Sequence, residues 1–243
     1  MHYTMKAYGD TGLRVEFGQD ISPEVNHTIR SFGVLLENHP IDGVNEWIST
    51  YTALTLTYDP YVISYRDLCC EVEKIAEKMT DAELPPARVI HVPTCYGGEK
   101  GPDLSSVAEY NGLNTDEVIE SHSGSEYLIY MMGFTPGFPY LGGMPESIAT
   151  PRLSTPRSEV PAGSVGIAGS QTGVYSISTP GGWQLIGRTP LILYDPYKDP
   201  PILLRAGDYV TFDPVSEKEY EKIAAKVKDG TYEPVIEPYS PNE

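Results

Sequence analysis

The groups in this sequence best suited to chemistry are cations and amides set among glycines. Arg188 is the one charged residue of the run Pro180-Gly-Gly-Trp-Gln-Leu-Ile-Gly-Arg-Thr-Pro190, which also holds Gln184. A guanidinium kept apart from local carboxylates either reaches a distant acid as an ordinary salt bridge or holds an anionic ligand through two parallel hydrogen bonds. Arg157 lies in Thr155-Pro-Arg-Ser158, where the proline limits the freedom of the chain, and Arg152 is a further cation of the same stretch. Gln171 lies in Gly169-Ser-Gln-Thr-Gly173, whose glycines either bare backbone N–H groups to a ligand or make a plain hairpin turn. His91 stands between Ile90 and Val92 and faces opposite to both in a strand. It is an acid/base if it points into an open site and a structural histidine otherwise, the commoner case. His122 ends a short helix, where it suits the terminal carbonyls.

Several familiar reaction types are missing. Ala162-Gly-Ser-Val-Gly166 comes near the G-x-S-x-G nucleophile elbow, but its β-rich setting is not the strand-to-helix turn that motif needs. There is no G-x-x-x-x-G-K-[ST], so the chain carries no ordinary phosphate-binding loop. Cys95 lies two residues after Pro93 with no adjacent basic residue to lower its pKa. Cys69, Cys70 and Cys95 make neither a disulfide framework nor a zinc site.

Charge narrows the field further. The 243 residues hold 34 Asp+Glu against 17 Lys+Arg, a formal charge of -17, which disfavours nucleic acid and anionic membranes as partners. No stretch approaches the roughly 18 apolar residues that cross a bilayer. The first residues lack the basic and apolar regions of a secretion signal. A cytoplasmic protein acting on small molecules or protein partners is expected.

The elements that must position these groups fall into two parts. Residues 1–84 read as an α+β domain, with strands at Met5–Tyr8, Leu13–Phe17, Val44–Ile48 and Ala53–Tyr58. A helix begins at Ser22 with Pro23 in its first turn, and a second begins near Ser64. Leu84-Pro85-Pro86 breaks the pattern. Residues 87–243 read as a mainly-β barrel domain with two short helices at Asp103–Tyr110 and Thr115–His122, a last helix capped by Ser216, and a loose tail from Tyr232. Its strands are expected at Val89–Pro93, Tyr127–Met131, Val174–Ser178, Trp183–Ile186, Leu191–Tyr194 and Tyr209–Phe212.

One segment stands apart. Residues 133–187 contain 11 of the 23 glycines, seven prolines and only four charged residues, yet also Phe134, Phe138, Tyr140 and Trp183. Alternating glycine and proline with aromatics describes ordered loops that hug a surface or ligand, or else tight barrel corners. The first reading puts Phe134, Phe138 and Tyr140 at a ligand groove or partner contact.

Three runs carry a resemblance to a known family: Gly133-Phe-Thr-Pro-Gly-Phe-Pro-Tyr-Leu-Gly-Gly143, Val160-Pro-Ala-Gly-Ser-Val-Gly-Ile-Ala-Gly-Ser-Gln-Thr-Gly173, and Pro180 to Pro190 as written above. They closely resemble the family of the bacterial 5-oxoprolinase B subunit, which includes the histidine-kinase inhibitor KipI. The same module forms part of the carboxyltransferase-type domain of urea carboxylase and has been labelled allophanate hydrolase subunit 1. Tyr8-Gly-Asp-Thr11, Tyr96-Gly-Gly-Glu-Lys-Gly-Pro-Asp103 and Arg205-Ala-Gly-Asp208 extend the likeness over nearly the whole chain.

The resemblance implies a cyclophilin-like barrel after the α+β domain, and one subunit of an ATP-dependent complex that opens the lactam of 5-oxo-L-proline to L-glutamate. Its partners would be a carboxyltransferase-like subunit, C-like, and a third, A-like. The chain would bind no cofactor or metal by itself and be inactive alone, with ATP used by the complex. The alternative is a KipI-type role, gripping the helical hairpin of a sensor histidine kinase and blocking its autophosphorylation. Under either, Arg188, Arg157, Arg152, Gln171, Gln184, His91, Phe134, Phe138 and Tyr140 are the candidates for the groove, with no catalytic residue singled out.

Overall fold

The computed structural model describes residues 2–240, and its contacts divide the chain into two compact units, residues 1–86 and 87–243. In the first unit Ser22 ends the extended chain by accepting the Val25 N–H at 3.2 Å, and Pro23 sits where its missing N–H costs nothing. The helix that follows, α1 (Pro23–Asn38), buries Ile29, Phe32, Leu35 and Leu36. Around it are β1 (Thr4–Ala7), β2 (Gly12–Glu16), β3 (Val44–Ser49), β4 (Ala53–Tyr58) and α2 (Tyr65–Ala76), the last capped by Ser64. The strands form an antiparallel sheet in the order β1-β2-β4-β3. Leu13, Val15, Leu54 and Leu56 of its buried positions meet Phe32, Leu68 and Val72 from the helices.

The second unit is a nearly closed β-barrel with few helices. It runs β5 (Arg88–Tyr96), α3 (Leu104–Asn111), α4 (Thr115–Ser123), β6 (Tyr127–Met132), β7 (Pro139–Gly142), β8 (Arg157–Val160), β9 (Ser164–Ala168), β10 (Gln171–Val174), β11 (Thr179–Gly181), β12 (Gln184–Arg188), β13 (Tyr209–Pro214), α5 (Glu217–Lys228) and β14 (Ile236–Pro238). The main sheet is ordered β10-β9-β12-β5-β13-β6-β7, and β7 comes back against β10 to bring the edges together. β8 and β11 pair separately. The nine-residue β5 is the spine: β13 runs parallel to it along Val89–Thr94, while β14 and β12 share its other edge. Ile90, Val92, Tyr127, Ile129, Val165, Ile167, Ile186, Val210 and Phe212 fill the interior.

The glycine-rich segment differs from a set of loops. It supplies β7 to β12, because glycines at pairing positions leave room for rings rather than ending the strands. The strand expected at Val174–Ser178 stops at Val174, and Leu191–Tyr194 makes only an isolated bridge from Tyr194 to Ile202. Leu191 and Leu193 do alternate into the core, so their spacing signals burial without pairing. In the tail expected to be loose, Ile236–Pro238 pairs with β5; the last three tail residues lie outside the described ones.

Candidate functional site

On the outer side of the barrel Phe134, Phe138, Tyr140, Arg152, Gln171 and Trp183 line a groove of about 430 Å³, together with Tyr175 and the turn Pro180-Gly181-Gly182. The three separate sequence runs thus meet in one place. Phe138 is the hub. Its ring meets Phe134, Tyr140, Tyr175 and Trp183 edge-on, with centroids 5.5, 5.5, 5.7 and 5.8 Å away, the arrangement that aromatic quadrupoles favour. Glycine makes this packing possible. A Cβ on Gly173 would stand 3.1 Å from the Trp183 ring, and one on Gly181 would overlap the Tyr175 hydroxyl.

Phe134 is held against its own preference. It has φ 62°, a left-handed conformation that a bulky side chain rarely adopts, and it remains 65% exposed. Its loop is pinned from within: the Thr135 N–H donates to Gly133 O at 2.7 Å, the Phe138 N–H to Thr135 O at 3.1 Å, and the Ser176 hydroxyl to Pro136 O at 2.6 Å. A strained, solvent-facing aromatic fixed by such a loop is the kind of arrangement that clusters at ligand sites.

Arg152 provides the charge. Its guanidinium carbon lies 6.0 Å from the Trp183 ring centroid, and among the described residues no carboxylate pairs with it. Among those residues no acid lines the groove. Burial pushes the Tyr175 phenol up, and Arg152 and Arg157 partly offset this. Backbone ties hold the Arg152 segment in place, with Gln184 Nε2 donating to Pro151 O at 2.9 Å and the Leu153 N–H to Gly182 O at 2.7 Å. Gln184 therefore positions the cation beside it. The surface can accept a flat apolar group on its rings and an anionic group at Arg152.

Besides Gln184, three more candidates do not line the groove. Arg157 gives Nη2 to Asp103 Oδ1 at 2.7 Å and Nη1 to Trp183 O at 3.3 Å, while Asp103 Oδ2 accepts the Leu185 N–H at 2.6 Å. It braces the wall of the groove and does not line it. His91 faces away from the core that takes Ile90 and Val92, with Nδ1 2.9 Å from Asp213 Oδ2 and 3.2 Å from Thr211 Oγ1. Arg188 ends β12, the strand whose first residue is Gln184. Sequence reasoning misses Trp183 and Tyr175 as site residues. The Gly-Gly-Trp run is a usable signal for the first; Tyr175 has none, since its place depends on β10 ending one residue earlier.

His122 also behaves differently from a helix-end residue. It is wholly buried in the barrel interior, where the Thr172 hydroxyl donates to Gly166 O at 3.1 Å and accepts from His122 Nε2–H at 2.7 Å. Nδ1 then accepts the Tyr96 hydroxyl at 2.8 Å. Burial lowers its pKa from 6.5 to about 3, so the ring is neutral. Among the described residues no group of three or more His, Cys, Asp or Glu gathers to hold a metal, and no helix is long and apolar enough to cross a membrane.

The model of the carboxyltransferase domain, subdomain C and D, matches residues 3–204, which takes in the first unit and most of the barrel. The chain belongs to that family, in the branch of the 5-oxoprolinase B subunit. It is 47% identical over 232 residues to the 5-oxoprolinase B subunit of Bacillus subtilis, covering 90% of this chain and 96% of that one. A solved structure, a conserved uncharacterized protein from Pyrococcus horikoshii, is 45% identical with a TM-score of 0.53, covering 89% of this chain and 100% of its own. Urea carboxylase of Kluyveromyces lactis shares the fold at 20% identity, with a TM-score of 0.75 over 98% of this chain and 24% of that one.

Proposed function

We propose that the chain is the B subunit of an ATP-dependent 5-oxoprolinase, which opens the lactam of 5-oxo-L-proline to L-glutamate. The observation that carries this reading is the 47% identity to a protein of that name along 90% of the chain. The groove fits the substrate's chemistry. A lactam is flat and a carboxylate hangs from its ring, matching aromatic walls with one cation among them. The lactam carbonyl is a poor electrophile and its nitrogen a poor leaving group. Phosphoryl transfer from ATP to the carbonyl oxygen creates a centre that water can attack.

With no phosphate-binding loop in its sequence, this chain meets ATP only within the complex. Its partners are a carboxyltransferase-like subunit, C-like, and an A-like subunit, all cytoplasmic; the barrel is of the cyclophilin-like kind. Alone it is inactive. ATP hydrolysis dependent on 5-oxoproline, measured for this chain with and without the two partners, tests the reading: turnover is expected only from the mixture. Absence of turnover in the complete mixture, or turnover by the chain alone, contradicts it.

The exposure of Phe134 favours one other reading. An exposed apolar ring at a groove also suits a protein ligand, so a KipI-type inhibitor would seat the helical hairpin of a sensor kinase here. Inhibition of kinase autophosphorylation, with no 5-oxoproline turnover in the complete mixture, would select it.

A further inference from the structure

Asp103 has two uses open to its carboxylate and serves only one. It is the N-cap of α3, and aspartate is among the residues best suited to that position, yet it makes no side-chain hydrogen bond to the helix. Its oxygens turn to the back of the groove. Oδ2 accepts the Leu185 N–H at 2.6 Å, the Asp103 N–H donates to Leu185 O at 2.9 Å, and Oδ1 takes Arg157 Nη2 at 2.7 Å. The Asp103 and Arg157 side chains are 12% and 28% exposed, so the pair is mostly out of water.

Arg157 stands directly behind the aromatic wall. β8 pairs with β11 so that Arg157 is opposite Gly181, and both Gly181 and the chain neighbour Pro156 line the groove. Nη1 donates to the carbonyl of Trp183, another lining residue, at 3.3 Å. The charge of Arg157 is felt inside: burial raises the Tyr175 phenol, and Arg152 and Arg157 both act against that rise. Without Asp103 the groove would face two net cations, Arg152 in its lining and Arg157 behind Trp183. With Asp103 it faces one.

We propose that Asp103 sets the selectivity of the groove by neutralising Arg157, so that the site offers a partner to one carboxylate and not to two. This rests on the 5-oxoprolinase reading, in which the distinction separates substrate from product. 5-Oxo-L-proline carries one carboxylate. Opening the lactam leaves a second on L-glutamate, and among aromatic rings with a single cation that group is costly to bury. The unpaired carboxylate works against the product and so favours its release. Asp103 does not line the groove; it is a positioning residue that acts through Arg157.

The test is calorimetric titration of the full chain, alone and with the two partner subunits but no ATP. The probes are 5-oxo-L-proline, L-glutamate and glutarate, the last a dicarboxylate without the ammonium group. Wild type should bind 5-oxo-L-proline more tightly than either dicarboxylate. Asp103→Asn keeps an amide oxygen for the Leu185 N–H and frees the charge of Arg157. Both dicarboxylates should then bind about 10-fold more tightly, the worth of one charge-assisted hydrogen bond, with 5-oxo-L-proline changed less. Asp103→Ser, a good cap for α3, gives the same answer if Asp103→Asn does not fold. The double variant Asp103→Asn/Arg157→Gln is neutral again and should return to the wild-type order, which a merely structural loss would not do. An unchanged order in the Asp103 variants overturns the proposal. So does a change that persists in the double variant, or a wild type that binds none of the three or prefers the dicarboxylates. Because binding is read without turnover, an inactive complete mixture refutes the 5-oxoprolinase reading and leaves the order of binding to decide this one.

Discussion

Two clusters of the barrel unit are built from the same kinds of residue and are finished in opposite ways. Around His122, rings and polar atoms close on each other: Tyr96 donates to the histidine, the histidine to Thr172, and Thr172 to a backbone carbonyl. In the groove, Phe138 is buried, yet Phe134 beside it is exposed and strained, and Arg152 has a ring near it and no carboxylate. Two arginines five positions apart repeat the contrast, since Arg157 is locked by Asp103 and Arg152 is not. The difference separates groups that hold the barrel together from groups kept open for something else.

Three substitutions sharpen that contrast. The largest effect is expected at the hub: Phe138→Ala should cost about 3–5 kcal/mol in chemical denaturation, because a buried ring leaves a cavity among four others. A loss below about 1 kcal/mol would mean that the groove wall is not built on Phe138.

The interior cluster should answer to acid. His122 is neutral in the fold down to about pH 3, whereas in the unfolded chain it takes a proton below 6.5. The unfolded state therefore binds the extra proton, and stability falls as pH drops from 6.5 toward 3, by up to about 1.4 kcal/mol per pH unit. His122→Gln should start less stable at neutral pH and lose that share of the slope. An unchanged slope in the variant would show that other groups cause the acid sensitivity.

The smallest effect is at Phe134. Glycine accepts φ 62° without strain, so Phe134→Gly should keep or raise stability by about 1 kcal/mol while weakening turnover in the complex. A clear drop in stability would make Phe134 a structural residue.

Much of this is legible in the sequence for physical reasons. Ser22, Ser64 and Ser216 announce their helices because a cap is a local interaction, complete within three residues. Phe134, Phe138, Tyr140, Arg152 and Gln171 can be gathered because an aromatic, glycine-rich run poor in charge is unusual composition. The strands β7 to β12 are hidden by that same composition, since glycine masks the β-branched pattern by which strands are read. Arg157 cannot be told from Arg152 by any local rule. Its partner Asp103 is 54 residues away, and only the fold brings a distant carboxylate to one arginine and not the other.

The central claim is that Arg152 stays open because the groove takes an anion. The direct measurement is kcat/KM for 5-oxoproline in the reconstituted complex carrying Arg152→Gln, with the melting temperature of the variant chain taken beside it. Loss of a charge-assisted hydrogen bond predicts a fall of about 10- to 150-fold. The melting temperature should stay near wild type, because an exposed arginine adds little to stability. A variant complex with wild-type kcat/KM would contradict the account.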